Sequence, residues 1–315
     1  MSFTDIPGQE RVVRTIKNAL EAGRLPHALL FQGPMGVGKK DTAIELAKAL
    51  NCAAQTGDAC GSCIQCRKIE RRVHPDVRLI ERETEKTKIS ISQIRELIRT
   101  MTQFKPFEGR AKVLILDRAE ELSQEGENAL LKTLEEPPRD TYLILVTSEP
   151  NRLLPTTRSR CQKIVFTRAP YPIVYKKALE LTANDEEYAK LLALLADGSI
   201  GSLEELHKQN LKERWPAMED AAGGDIDPVY ALLLASREGR SRESAIRCLK
   251  LLDAALRKRL LEAAENLAAW EVEDVLESLD LLSTYRRNID LGINPRLLME
   301  NVFLALSHKG RVHVS

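Results

Sequence analysis

Along the first half of the chain the apolar positions follow two periodicities, and along the second half only one. Residues 9–22 place Val12, Val13, Ile16, Ala19 and Leu20 at the i, i+3, i+4, i+7 spacing of an amphipathic helix. Short apolar runs then recur at Ala28 to Phe31, Val113 to Leu116, Tyr142 to Val146 and Ile164 to Phe166, with an alternating Val77-Arg78-Leu79-Ile80 among them. Unbroken runs of this length suit parallel strands buried on both faces. Helical stripes separate them. Ala43, Ile44, Leu46, Ala47 and Leu50 make one, and Ile94, Leu97, Ile98 and Met101 make another, with Ser92 as its expected N-cap. A third covers residues 128–136 and stops at Pro137 and Pro138. Strands alternating with helices predict a doubly wound parallel α/β sheet of four to five strands. After Phe166 only helical stripes remain, at 175–181, 186–196, 199–206, 229–234, 245–267, 272–289 and 295–306, while 207–224 reads as a polar, looser stretch.

The junction between the first strand and the second helix carries the most chemistry. It reads Gly33-Pro34-Met35-Gly36-Val37-Gly38-Lys39-Lys40. A G-x-x-x-x-G-K loop in that context cradles phosphates: the glycines let backbone N–H groups approach, the helix N-terminus adds its positive end, and Lys39 supplies a cation. The next position normally carries a Ser or Thr hydroxyl that ligates Mg²⁺, and here it is Lys40. The expectation is an inherited phosphate loop that holds ATP or ADP weakly or not at all. Asp117, at the end of the third apolar run, takes the place of the metal-binding acid, unless it serves only to satisfy the end of its strand. The water-polarising acid that follows it in working ATPases is replaced by Arg118, with Glu120 the next acid, and Thr147 ends a neighbouring strand where a hydroxyl can reach phosphate or cap the strand.

Composition narrows the classes. Lys+Arg 47 against Asp+Glu 46 leaves a net charge of +1, so no global basic field points to nucleic acid, and Lys105, Arg110 and Lys112 read as a solvated face. The start of the chain lacks the pattern of a signal peptide and no run is long enough to span a membrane, which predicts a cytoplasmic protein without membrane contact. Four of six cysteines, Cys52, Cys60, Cys63 and Cys66, fall close together with Gly57, Gly61 and Ser62 between them. Four thiolates at that spacing suit a closed, structural Zn²⁺ site; an iron–sulfur cluster and four plain buried thiols are the alternatives. His74, beside Pro75, reads as a turn residue that ends the preceding helix.

In this order, the glycine loop, the four-cysteine insert, the leucine-rich helix 128–138 and Ser159-Arg160-Cys161 resemble the clamp-loader subunits of bacterial DNA polymerase III, which are AAA+ proteins. The resemblance implies an AAA+ P-loop domain over 1–167 with the zinc module at 52–66, a helical lid over 168–208 and an all-α collar for oligomerisation over 209–315. It makes Arg160 an arginine finger aimed at a neighbouring subunit's ATP. It also assigns the lid's nucleotide-sensing arginine to the position of Gly201. With Lys40, Arg118 and Gly201 all departing from the hydrolytic pattern, the likeness is to the non-hydrolysing delta-prime branch, with an ATP-hydrolysing gamma/tau subunit as the alternative. The implied partners are gamma/tau and delta subunits in a hetero-pentamer, the sliding clamp, and primed DNA through the complex.

Overall fold

The computed structural model describes residues 3, 6–54, 57–81, 89, 91–103, 105–208, 211–224, 226–265, 269–290 and 292–309. The chain divides into two compact units, residues 1–177 with 196–204 and residues 178–195 with 205–315. Of the segment 168–208 expected as a lid, residues 178–195 and 205–208 therefore belong to the second unit and the remainder to the first.

The first unit is built on five parallel strands, β1 (Ala28–Gln32), β2 (Val77–Ile80), β3 (Lys112–Leu116), β4 (Thr141–Thr147) and β5 (Gln162–Val165), in the order β2-β3-β4-β1-β5. Between and around them run α1 (Glu10–Glu21), α2 (Lys39–Asn51), α3 (Ile64–Glu70), α4 (Ile91–Gln103), α5 (Gln124–Glu135) and the short α6 (Pro155–Ser159). Successive strand residues point to opposite faces, and both faces are covered. Leu29, Phe31, Val113, Ile115, Ile144 and Val146 pack with Val12, Ile16, Ala43, Leu46 and Ala47 on one side. Leu30, Leu114, Leu116, Leu143 and Leu145 pack with Ile94, Leu97, Leu130 and Leu134 on the other. This doubly covered parallel sheet is the expected doubly wound α/β class. It also explains why the inner strands β1, β3 and β4 carry unbroken apolar runs, whereas the edge strands β2 and β5 include Arg78, Gln162 and Lys163. Because β1 lies between β4 and β5 while the chain leaves it for β2 at the far edge, the carboxyl ends of β1, β3 and β4 open onto one crevice.

In α4 the expected cap Ser92 lies inside the first turn, and Met101 is outside the described side chains. α5 starts earlier than its apolar stripe, at Gln124, because Ser123 caps it by accepting from Gly126 N–H at 3.1 Å.

The sequence past Phe166 is helical as expected: α7 (Tyr171–Leu181), α8 (Glu186–Ala196), α9 (Ile200–Lys208), α10 (Trp215–Gly223), α11 (Pro228–Glu238), α12 (Arg242–Glu265), α13 (Ala269–Asp290) and α14 (Pro295–Lys309). The stripe assigned to 245–267 ends, as described, at Glu265; Leu267 lies outside the described residues. One expectation fails. The stretch 207–224 is not loose, since α10 buries Trp215, Met218, Ala221 and Ala222 and packs against α12 within the second unit. Half of its buried face is the small residues Ala221 and Ala222, so the apolar signal is weak in a nine-residue helix. Among the described residues no helix is long and apolar enough to cross a membrane.

Candidate functional site

The glycine loop joins β1 to α2 at the crevice. Gly36 and Gly38 adopt φ of +70° and +89°, values that side chains with a Cβ disfavour, and this lets the loop turn tightly from strand to helix. Thr42 N–H closes the first turn of α2 on Gly38 O at 2.9 Å, so the N–H groups of Lys39, Lys40 and Asp41 precede the helix's bonding ladder. Lys39 Nζ donates to Gly33 O at 2.6 Å and Pro34 O at 2.5 Å, which ties the ammonium across the loop. The result is a cavity of about 380 Å³ lined by Met35, Gly36, Gly38, Lys39, Lys40, Asp41, Arg72, Asp117, Arg118, Glu120, Val146, Thr147 and Ser148. Gly36, Gly38, Lys39, Lys40, Asp117 and Thr147 are thus brought together, and Gly33 joins them through Lys39.

Residue 40 decides what this cavity can hold. Lys40 Nζ lies 3.2 Å from Asp117 Oδ2 and is ion-paired and hydrogen-bonded to Glu81 Oε1. Burial alone lowers the Lys40 pKa; the bonds to Glu81 and Asp117 more than offset it, so the ammonium is held above its ordinary value. Glu81 in turn is raised by burial and, more strongly, lowered by Lys40 and Arg72, whose Nη1 is 3.0 Å from its other oxygen. Mg²⁺ in a working loop sits between the hydroxyl at position 40 and the strand-end acid. It does not fit the residues present, because a fixed cation already bridges two carboxylates there. Thr42 offers no replacement, being fully buried with its hydroxyl donated to Gly38 O at 2.7 Å.

The other hydrolytic positions are equally committed. Arg118 sits in a left-handed turn (φ +52°) with its guanidinium 3.4 Å from Glu121. Glu120 lines the cavity, but one carboxylate oxygen accepts from Ser148 N–H at 3.2 Å and from its hydroxyl at 2.7 Å. Burial raises the Glu120 pKa, and the bonds from Ser148 and Thr147 bring it below the ordinary value. Lys39 is lowered by burial, with Glu120 and Asp117 partly opposing. Thr147 is buried and its hydroxyl accepts from Glu149 N–H at 3.1 Å. Gly201 N–H donates to Gly36 O at 2.9 Å, and a Cβ at 201 would stand 3.0 Å from Gly36 Cα, so the segment 199–202 presses on the phosphate loop itself.

Arg160 does not line the cavity. It caps the C-terminus of α6, partly exposed, with Nε donating to Glu135 Oε1 at 2.7 Å and Nη1 to Thr156 O at 2.9 Å. Its neighbour Cys161 is a core residue under the sheet, and burial pushes its thiol up to about 12.

At the other end of α2 the chain enters the cysteine cluster directly, with Cys52 as the helix C-cap. The sulfurs of Cys52, Cys60, Cys63 and Cys66 lie within 4.8 Å of one another, close to the spacing of about 3.8 Å that a tetrahedral Zn–S₄ site needs. Backbone N–H groups point at these sulfurs: Cys60 N–H to Cys52 at 3.4 Å, Cys63 N–H to Cys60 at 3.3 Å and Cys66 N–H to Cys63 at 3.4 Å. The residues therefore fit a metal, and all four would be its ligands. His74 is not a fifth. It is buried, its Nδ1 accepts from Asp76 N–H at 3.1 Å, and its Nε2 donates to Gln65 Oε1 at 2.7 Å.

The loop after α4 is fastened beside this cluster. Asp76 accepts from Phe107, Glu108 and Gly109 N–H at 2.6, 2.9 and 2.8 Å, and Asn51 Oδ1 accepts from Arg110 and Ala111 N–H at 2.8 and 3.0 Å. The basic trio expected to form a solvated face does so only in part. Lys105 and Arg110 are exposed, with Arg110 donating to Cys52 O at 2.6 Å, but Lys112 is buried where it opens β3.

Sequence reading missed Glu81 and Arg72. The signal for Glu81 is positional: it directly follows β2 as Asp117 follows β3, and Ile80 pairs with Leu116. Two adjacent parallel strands thus deliver a carboxylate each to the same edge.

Residues 8–170 match the family described as DNA polymerase III, delta subunit, which is more than half of the chain. The chain belongs to that family. It is 32% identical over 304 residues to the DNA polymerase III subunit tau of Salmonella typhimurium, covering 94% of this chain and 45% of that protein. To the DNA polymerase III subunit delta' of Bacillus subtilis it is 34% identical over 196 residues, covering 62% and 58% respectively. The chain thus spans less than two thirds of the length of these relatives. In fold it is similar to a DNA polymerase III gamma subunit-related protein from Thermotoga maritima, with TM-score 0.51 and 18% identity over 95% of this chain and 99% of the other.

Proposed function

We propose that this chain is a delta-prime-type stator of the DNA polymerase III clamp loader. In this reading it sits beside a gamma/tau motor subunit in a hetero-pentamer that also holds delta, and it presents Arg160 to the neighbour's ATP. The assembly then opens the sliding clamp and places it on primed DNA. The single observation that carries the reading is the Lys40 ammonium lodged between Asp117 and Glu81. Phosphoryl transfer to water needs charge neutralisation by a metal and an oriented water, and losing both removes several kcal/mol of transition-state stabilisation. Arg118 in the place of the second acid and Gly201 against the loop agree with that loss.

What remains chemically useful is Arg160. A guanidinium at the edge of one subunit can neutralise charge on a γ-phosphate leaving in the next. Its bonds to Glu135 and Thr156 O hold it at the end of α6 in the meantime. The four cysteines would supply a structural zinc centre, and residues 1–167, 168–208 and 209–315 would act as P-loop domain, lid and collar.

The test is the ATPase of the reconstituted loader carrying Arg160→Ala. The expected result is a fall at least as large as the share of the one active site that this subunit completes, with Arg160→Lys restoring little because an ammonium lacks the planar fork. Unchanged ATPase overturns the reading. The match of 94% of the chain to a tau subunit favours a second reading, a gamma/tau-type motor. ATP turnover by the isolated chain, abolished by Lys39→Ala, would establish it.

A further inference from the structure

The cavity at the glycine loop keeps the elements that grip phosphate and has exchanged the one that seats a divalent ion. Three N–H groups at the start of α2 and the Lys39 ammonium remain on its wall. An ammonium has three donors, and Lys39 uses two on Gly33 O and Pro34 O. One is left for an anion. Lys40 likewise uses two, on Asp117 and Glu81, and has one left. Two further guanidinium groups, Arg72 and Arg118, stand on the same wall, so four cationic side chains meet the carboxylates Asp41, Asp117 and Glu120 of the lining, with Glu81 paired to Lys40 and Arg72 and Glu121 paired to Arg118.

From this arrangement we infer that Lys40 is a tethered substitute for the divalent cation, and that the pocket binds the polyphosphate of a nucleoside di- or triphosphate without Mg²⁺. Asp117 is the acid with which a working site holds its metal, and here it is neutralised from within the chain. Glu81, a second acid at the same strand edge, fixes the other side of the ammonium, and Arg72 fixes Glu81. A free ion would compete with Lys40 for Asp117 and meet its charge at close range. A covalently held cation needs no ion from solution. A nucleotide so bound would stay intact, because the ammonium cannot carry an activated water and Glu120 is held by Ser148. It would serve as a fixed filling of the crevice between strand ends and loop. The inference rests on the reading of a non-hydrolysing subunit.

Calorimetric titration of the full chain with ADP, ATP and inorganic triphosphate, each in Mg²⁺ and again in EDTA, tests it. The expected result is a dissociation constant that is the same within about twofold in the two buffers. Lys40→Ser, which restores the hydroxyl, should bind at least about tenfold more weakly in EDTA than in Mg²⁺. Binding by the unmodified chain only in Mg²⁺ overturns the inference, as does binding in neither buffer. The unmodified chain decides the matter even if the variant misfolds. Product analysis of the same samples keeps the two readings apart: ATP turnover removes the stator reading, whereas Mg²⁺-dependent or absent binding without turnover removes only this inference.

Discussion

Asp76 holds a loop that lies more than thirty residues further along the chain, through the three backbone N–H groups of Phe107, Glu108 and Gly109. Burial raises its pKa, and these three bonds lower it further than burial raises it, so the folded carboxyl titrates below its ordinary value of ~3.9. A depressed folded pKa gives stability that is present above the unfolded value and is lost as pH falls through the folded one. Asp76→Asn should therefore cost about 2 kcal/mol at neutral pH, since the amide keeps only one accepting oxygen and turns an NH2 donor toward the remaining backbone N–H groups, and the acid limb of the stability curve below about pH 4 should flatten. Urea unfolding across that pH range measures both effects. Gly36 makes a second residue-scale case. Its φ is +70°, and a Cβ there would stand 2.2 Å from Ser199 Oγ and 3.2 Å from Ser202 N. Gly36→Ala is expected to lower stability by about 1–2 kcal/mol, read as a shift in denaturant midpoint. The two residues differ in how far the sequence discloses them. Gly36 is legible as part of a loop motif, whereas Asp76 reads only as the end of a His-Pro-Asp turn, because its partners are fixed by tertiary folding. Glu81 is hidden for the same reason, since nothing in the chain order says that β2 lies beside β3.

Among the elements, the inner strands β1, β3 and β4 are the most legible, because a strand covered on both faces must be apolar over most of its length. The helix α2 is legible by its stripe but not by its role. Its N-terminus begins at Lys39 and its C-cap is Cys52, so a single 13-residue helix joins the phosphate loop to the cysteine cluster. The cluster's own helix α3 is only seven residues long and is capped by the Cys63 sulfur, which accepts from Cys66 N–H. Helices this short are marginal by themselves. Lys48, buried in α2, reaches Glu70 at the end of α3 and Glu45 one turn earlier at 2.7 Å. Stripping a bound metal with a chelator should accordingly unfold α3 and the 57–66 loop while the sheet persists, because β1, β3 and β4 have a core of their own. Hydrogen exchange checks this: amides of residues 60–70 should lose protection, and those of Val113 to Leu116 should not. Equal loss in both segments would show that the metal supports the whole unit. The helix α10 marks the opposite limit of sequence reading, since small residues such as Ala221 and Ala222 are core without advertising it.

At the scale of the whole molecule the change at Phe166, from strands and helices to helices alone, is plain in the sequence, but the division of the chain into two units is not. Alternating periodicity identifies elements, and which elements cluster depends on contacts between stripes that look alike. The second unit also has more apolar surface than its own core uses. In α11, Ala231, Leu234 and Ala235 are buried with α14 as the principal neighbour, yet Val229, Tyr230, Leu232 and Leu233 are 68%, 47%, 42% and 63% exposed. Under the proposed function these four exposed apolar side chains would form a face of the collar that a partner subunit covers. Leu233→Glu should then leave the stability of the isolated chain within about 0.5 kcal/mol and weaken assembly with the partner subunits at least about tenfold. Leu234→Ala, one residue on and 5% exposed, should do the reverse. It should destabilise the chain by about 2–4 kcal/mol through a cavity and affect assembly only through folding. Sedimentation of the reconstituted complex beside thermal unfolding of each variant separates the two. If Leu233→Glu assembles as tightly as the unmodified chain, that face of α11 takes no part in the collar, and the subunit must be held by other surfaces.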